Sequence, residues 1–166
     1  MKFIIIFLVM SLHASFAMAS RHTCDTKNLD QKFILIHGIG GANSSFGLMK
    51  EGLEKDYPCS KAYFFSYETQ NSSLTTIDFA KKLDQFLDKL PVPKHNQKDI
   101  NFVMHSQGGI VGLNWLMNSF LGTKGFTTKL SKRVNNYISL STPFWGSDFA
   151  LMGKTVFFLG IDENAI

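Results

Sequence analysis

Ser106 stands in the run Met104-His105-Ser106-Gln107-Gly108-Gly109, between an apolar stretch that reads as a strand and a second that reads as a helix. A serine at such a junction occupies a sharp, strained turn that holds its Oγ above the carboxyl edge of a sheet, where it can act as a nucleophile. Gly108 and Gly109 let the helix backbone approach the strand without side-chain collision, and a helix start presents N–H groups to negative charge developing nearby. The plainer alternative is a structural serine in a glycine-rich turn.

A second run, His37-Gly38-Ile39-Gly40-Gly41-Ala42, follows another apolar stretch. Acyl transfer needs donors aimed at the oxyanion of a tetrahedral intermediate. A glycine-rich loop can bring the N–H of Ile39 close to that of Gln107, provided the two strands are neighbours. A phosphate cradle is excluded on spacing: Gly38, Gly40 and Gly41 are followed by Ala42 and Asn43, and no Gly-Lys-Ser/Thr occurs.

The elements that must position these loops are read from hydrophobic patterning. Phe33–Ile36 is a continuous apolar run of the kind buried on both faces of a parallel sheet. Ala62–Tyr67 predicts a second strand, Ile100–Met104 a third and Tyr137–Leu140 a fourth, closed by Pro143. From Leu74 the period changes: Ile77, Ala80, Leu83, Leu87 and Leu90 fall on one face of a helix stopped by Pro91 and Pro93. Gly108–Phe120 predicts an apolar helix, followed by a loop holding Gly122 and Gly125. Strands alternating with helices imply an α/β fold with a parallel sheet flanked by helices.

The first residues stand apart from this fold. Lys2, the apolar run Phe3–Leu12 and Ala17-Met18-Ala19 form the pattern of an export signal, with cleavage expected after Ala19. The apolar run is short of the ~20 residues that span a bilayer. We therefore expect a signal peptide at 1–19, one domain over 20–166, and a secreted or periplasmic location. The net charge of +4 is scattered, without a basic block, so it reads as solvated surface and no nucleic-acid partner is expected. Cys24 and Cys59 are the two cysteines. In an oxidising compartment an even pair suggests a disulfide, the alternative being two unlinked thiols. No metal-ligand spacing accompanies them, and neither metal nor organic cofactor is expected.

Together with Ser141-Thr142-Pro143-Phe144-Trp145-Gly146-Ser147, the two loops resemble those of secreted lipases and esterases of the α/β-hydrolase superfamily. The resemblance runs from about Phe33 to Ser147, with three motifs in the family's order. It implies Ser106 as nucleophile, the backbone N–H groups of Ile39 and Gln107 as oxyanion hole, and adjacency of the first and third strands. His37, Gly38, His105, Gly108 and Gly109 would shape the elbow and the oxyanion loop. The implied partner is an ester or lipid substrate, with transient contact to a lipid surface.

The sequence departs from the family in two places. Met104 occupies a position where the family carries Gly or Ala, so a methionine must find space or shift the elbow. In this fold the triad runs Ser, then Asp or Glu, then His, yet no histidine follows Ser106. His13 and His22 lie near the N-terminus, His105 should point away from Ser106, and His95 should lie at the opposite sheet edge. Asp148 and Asp162 follow the fourth strand, but Asp148 reads as a loop or helix-capping residue. The apolar tail Thr155–Ile161 has no closing helix after it. The sequence-based expectation is thus the N-terminal part of an α/β-hydrolase fold, incomplete at its C-terminus. Its expected function is a carboxylic-ester hydrolase, inactive or impaired as this chain. A thioesterase or lipid deacylase of the same fold is one alternative; a non-catalytic interaction module is another.

Overall fold

The computed structural model describes residues 31–69, 71, 73–92 and 98–146. The expected signal peptide, Cys24, His13, His22, His95, Ser147, Asp148, Asp162 and the apolar tail lie outside the described residues. Four strands, β1 (Gln31–Ile36), β2 (Ser60–Phe65), β3 (Ile100–His105) and β4 (Val134–Leu140), form one parallel sheet in the order β2-β1-β3-β4. The helices are α1 (Gly47–Asp56), α2 (Thr76–Asp88), α3 (Gln107–Leu121) and α4 (Thr128–Ser131), with a 3-10 turn at Asn43–Phe46 before α1. This is a parallel sheet flanked by helices, an α/β-hydrolase-like fold.

Alternation along the central strands divides the core between the two faces. On one face Ile34, Ile36, Phe102 and Met104 pack with Phe79, Leu83 and Leu87 of α2 and Val111 and Trp115 of α3. On the other, Phe33, Leu35 and Val103 meet Ala62 and Phe46, with Leu53 of α1 packed alongside. Because β1 and β3 are buried on both faces, they are the strands that read as continuous apolar runs.

Strand order fixes where a ligand can enter. The chain leaves β1 toward β2 on one side, while from β3 it proceeds to β4 on the other. Right-handed crossovers in opposite directions put the intervening helices on opposite faces. The chain reverses its direction of travel at the carboxyl ends of β1 and β3, the switch point where open α/β sheets bind ligands.

Several boundaries differ from the sequence expectation. β2 covers Ser60–Phe65, so Tyr67 lies beyond the strand. α2 begins at Thr76 because Thr75 caps it: the Thr75 hydroxyl accepts from Asp78 N–H while Asp78 Oδ2 accepts from Thr75 N–H at 3.0 Å. It ends at Asp88, ahead of the prolines. α3 ends at Gly122, whose φ of 69° is the left-handed cap that glycine adopts without cost. β4 begins three residues earlier than expected, its polar Asn135 and Asn136 having masked an edge strand.

Candidate active site

Ser106 links β3 to α3 with φ 53° and ψ −126°. A positive φ at a non-glycine residue is strained by contact between Cβ and backbone, and it persists only where the surroundings hold it. Here they do. Ser106 N–H donates to Leu140 O of β4 at 2.9 Å, and Ser106 O accepts from Gly109 N–H at 3.1 Å. The side chain is half-buried.

Glycines on either side permit this geometry. A Cβ at Gly38 would stand 2.6 Å from Ser106 Cβ and 3.1 Å from its Oγ. The loop leaving β1 therefore runs directly against the serine. A Cβ at Gly108 would meet Ile36 O at 2.5 Å and His37 O at 2.6 Å, so only glycine lets the start of α3 come this close to β1. At Gly109 the obstacle would be Thr142 Oγ1, at 2.0 Å.

The β1 loop turns between Gly38 and Gly41, where Gly41 N–H donates to Gly38 O at 3.1 Å. Gly40 has φ 66° at the third position, the requirement of a type II turn. Among the described residues neither Ile39 N–H nor Gln107 N–H donates to a protein acceptor. Ile39 is exposed and precedes the turn's glycine, while Gln107 begins α3, where the first amides have no intrahelical acceptor. Residues carrying two uncommitted donors thus flank Ser106, one beside Gly38 and one next in sequence.

His37 is buried, and its Nδ1 lies 2.9 Å from Gly38 O. A carbonyl only accepts, so Nδ1 carries the proton in that bond. The imidazole stacks on Tyr67, with centroids 4.9 Å apart. His37 organises the loop. His105, opposite Leu140 at the end of β3, is exposed. Among the described residues no side chain hydrogen-bonds Ser106 Oγ.

Two residues that carry no functional motif in the sequence lie against this site. Tyr67 O–H donates to His37 O at 2.8 Å and lies 3.4 Å from Gln107 Oε1; Thr69 Oγ1 accepts from Gly40 N–H at 3.0 Å. Thr69 stands in the polar loop expected just after the second strand, whereas Tyr67 is expected at that strand's end. Ile39, Phe144 and Trp145 are exposed, in the segments that follow the carboxyl ends of β1 and β4. Cys59, remote from these loops in sequence, is held in a disulfide. Cys24, the one other cysteine in the sequence, lies outside the described residues. Among the described residues no cluster of His, Cys, Asp or Glu could hold a metal ion.

A strained serine between strand and helix, at the switch point of a parallel sheet, defines the α/β-hydrolase class. Residues 26–160 match the family model described as "Putative serine esterase (DUF676)", and the chain belongs to that family. No curated protein matches the chain.

Proposed function

We propose that Ser106 is the nucleophile of a carboxylic-ester hydrolase, with Ile39 N–H and Gln107 N–H as its oxyanion donors. The observation that carries this reading is the backbone of Ser106, at φ 53° with Gly38 pressed against the hydroxyl. In the reaction Oγ attacks the acyl carbon and its proton passes to a base. The two amides stabilise the oxyanion, and the alcohol leaves with a proton as the acyl-serine forms. Water then releases the acid.

The substrate reading is lipase-like. Exposed Ile39, Phe144 and Trp145, in the segments that follow β1 and β4, offer apolar surface suited to an acyl chain or a lipid surface. Export is part of the same proposal: the N-terminal signal pattern and the disulfide at Cys59 both suit an oxidising compartment.

The test is covalent labelling with an alkyl fluorophosphonate in imidazole buffer. The Oγ–P bond forms as P–F breaks, fluoride leaves, and imidazole takes the Ser106 proton. We expect one label per chain, mapped to Ser106 and lost in Ser106→Ala. Label on another residue, or equal labelling of Ser106→Ala, would overturn the assignment.

A further inference from the structure

Two residues just past β2 reach across to the loop beside Ser106. We propose that Tyr67, assisted by Thr69, is a positioning residue that sets the spacing between the two oxyanion donors; this rests on the assignment of Ser106, Ile39 and Gln107 above. Tyr67 touches Gln107 and the loop that carries Ile39. Its hydroxyl donates to the carbonyl of His37, two residues before Ile39, and lies 3.4 Å from the side chain of Gln107. A phenol has one proton, and the 2.8 Å contact to His37 O takes it. Gln107 Oε1, at 3.4 Å, is a longer second acceptor for the same proton, so that one hydroxyl faces both limbs of the site.

The ring is fixed as firmly as the hydroxyl. Tyr67 stacks on His37 on one side and tilts against Phe79, with centroids 4.8 Å apart, on another; Phe65 stacks at 5.5 Å. Burial pushes the phenol well above its ordinary pKa, so it stays a donor throughout the range in which an esterase is assayed. Thr69 holds the far limb by accepting from Gly40 N–H, at the glycine that makes the turn. The loop is thus held on both sides of Ile39: at His37 by Tyr67, and at Gly40 by Thr69. Neither bond contacts the reacting atoms, so their loss should move the donors alone.

The experiment measures fluorophosphonate labelling of the full chain as a function of probe concentration, which separates the maximal labelling rate from the half-saturating concentration. Tyr67→Phe keeps the ring and removes the hydroxyl. We expect its maximal rate to fall about tenfold, the equivalent of one lost hydrogen bond of about 1.4 kcal/mol at the transition state. Half-saturation and the near-ultraviolet circular dichroism should stay as in the unaltered chain. Thr69→Val should show the same signature more weakly, and it provides the test should Tyr67→Phe not fold.

If the unaltered chain labels at Ser106 and both variants label at its rate, the positioning role is wrong while the nucleophile stands. If the rate falls only together with loss of the folded spectrum in both variants, Tyr67 is merely structural and the inference fails. If Ser106 takes no label in the unaltered chain, the catalytic reading fails first and this inference falls with it.

Discussion

The Sδ of Met104 fills the space beside Gly112: a Cβ added to Gly112 would lie 2.2 Å from it. Met104, two residues before the strained serine, is fully buried in β3, and Gly112 sits on the buried face of α3. The crowding expected from a methionine below the elbow is therefore relieved one and a half turns into the following helix. The missing side chain at position 112 is the complement of the long one at 104.

This pairing predicts a coupling between the two positions. Gly112→Ala should gain about 1 kcal/mol of helix propensity but lose about 1–3 kcal/mol to overpacking, for a net loss near 1 kcal/mol. In a Met104→Ala background, itself weakened by about 2–5 kcal/mol, the same substitution should stabilise by about 1 kcal/mol. Urea unfolding of the four proteins measures the cycle. Equal effects of Gly112→Ala in both backgrounds would show that the two sites do not share this space.

Gly108→Ala should be more damaging to the site. Its Cβ would meet backbone oxygens of Ile36 and His37, which cannot swing aside as a methionine can. The start of α3 must then back away from β1, carrying Gln107 with it. We expect stability to fall by about 1–3 kcal/mol and Ser106 labelling to drop at least about tenfold. A variant that folds and labels normally would mean that α3 tolerates a wider separation from β1.

At the opposite edge of the sheet, Asp99 is fully buried between Lys32 Nζ at 2.6 Å and Arg133, whose Nε and Nη2 reach its two oxygens at 2.9 and 2.8 Å. The cluster joins the starts of β1, β3 and β4. Burial by itself would raise the Asp99 pKa, but the hydrogen bonds from Arg133 and Lys32, with their charges, outweigh it and hold it below the ordinary carboxylate value. Because the folded value lies below the unfolded one, the stabilisation is complete above about pH 4 and is lost as pH falls through the folded pKa. Asp99→Asn should cost about 3–5 kcal/mol at neutral pH. It should also flatten the fall in stability below about pH 4, as measured by urea midpoints across pH. An unchanged acid slope would remove Asp99 from the acid unfolding of this fold.

How far the sequence could be read depended on how each element earns its stability. β1 and β3 are apolar enough to be recognised because they lie in the centre, buried on both faces, whereas α3 is recognised because it is apolar even on its exposed face, at Leu113, Met117 and Phe120. α1 escaped notice because it buries no residue fully and its Leu48, Met49 and Leu53 are spread among charges. It is held by the Lys50–Glu54 pair at 2.8 Å and by Glu54 Oε1, which accepts from Ala62 N–H of β2 at 3.0 Å. That contact exists only once β2 is in the sheet. The aromatic character of Tyr67 places it, on sequence, at the end of a strand. Its place past the strand becomes clear only when β2 pairs with β1, which brings it over His37, thirty residues away.

The chain by itself determined the strand–serine–helix junction at Ser106 and the glycine turn after β1, because those depend on sterics within a few consecutive residues. The tertiary structure decided what lies against them: Gly38 on the serine, Tyr67 on the loop, and Gly112 under Met104. Such contacts follow from strand order and register, which short-range patterning constrains only by leaving β1 and β3 apolar enough to be neighbours at the centre.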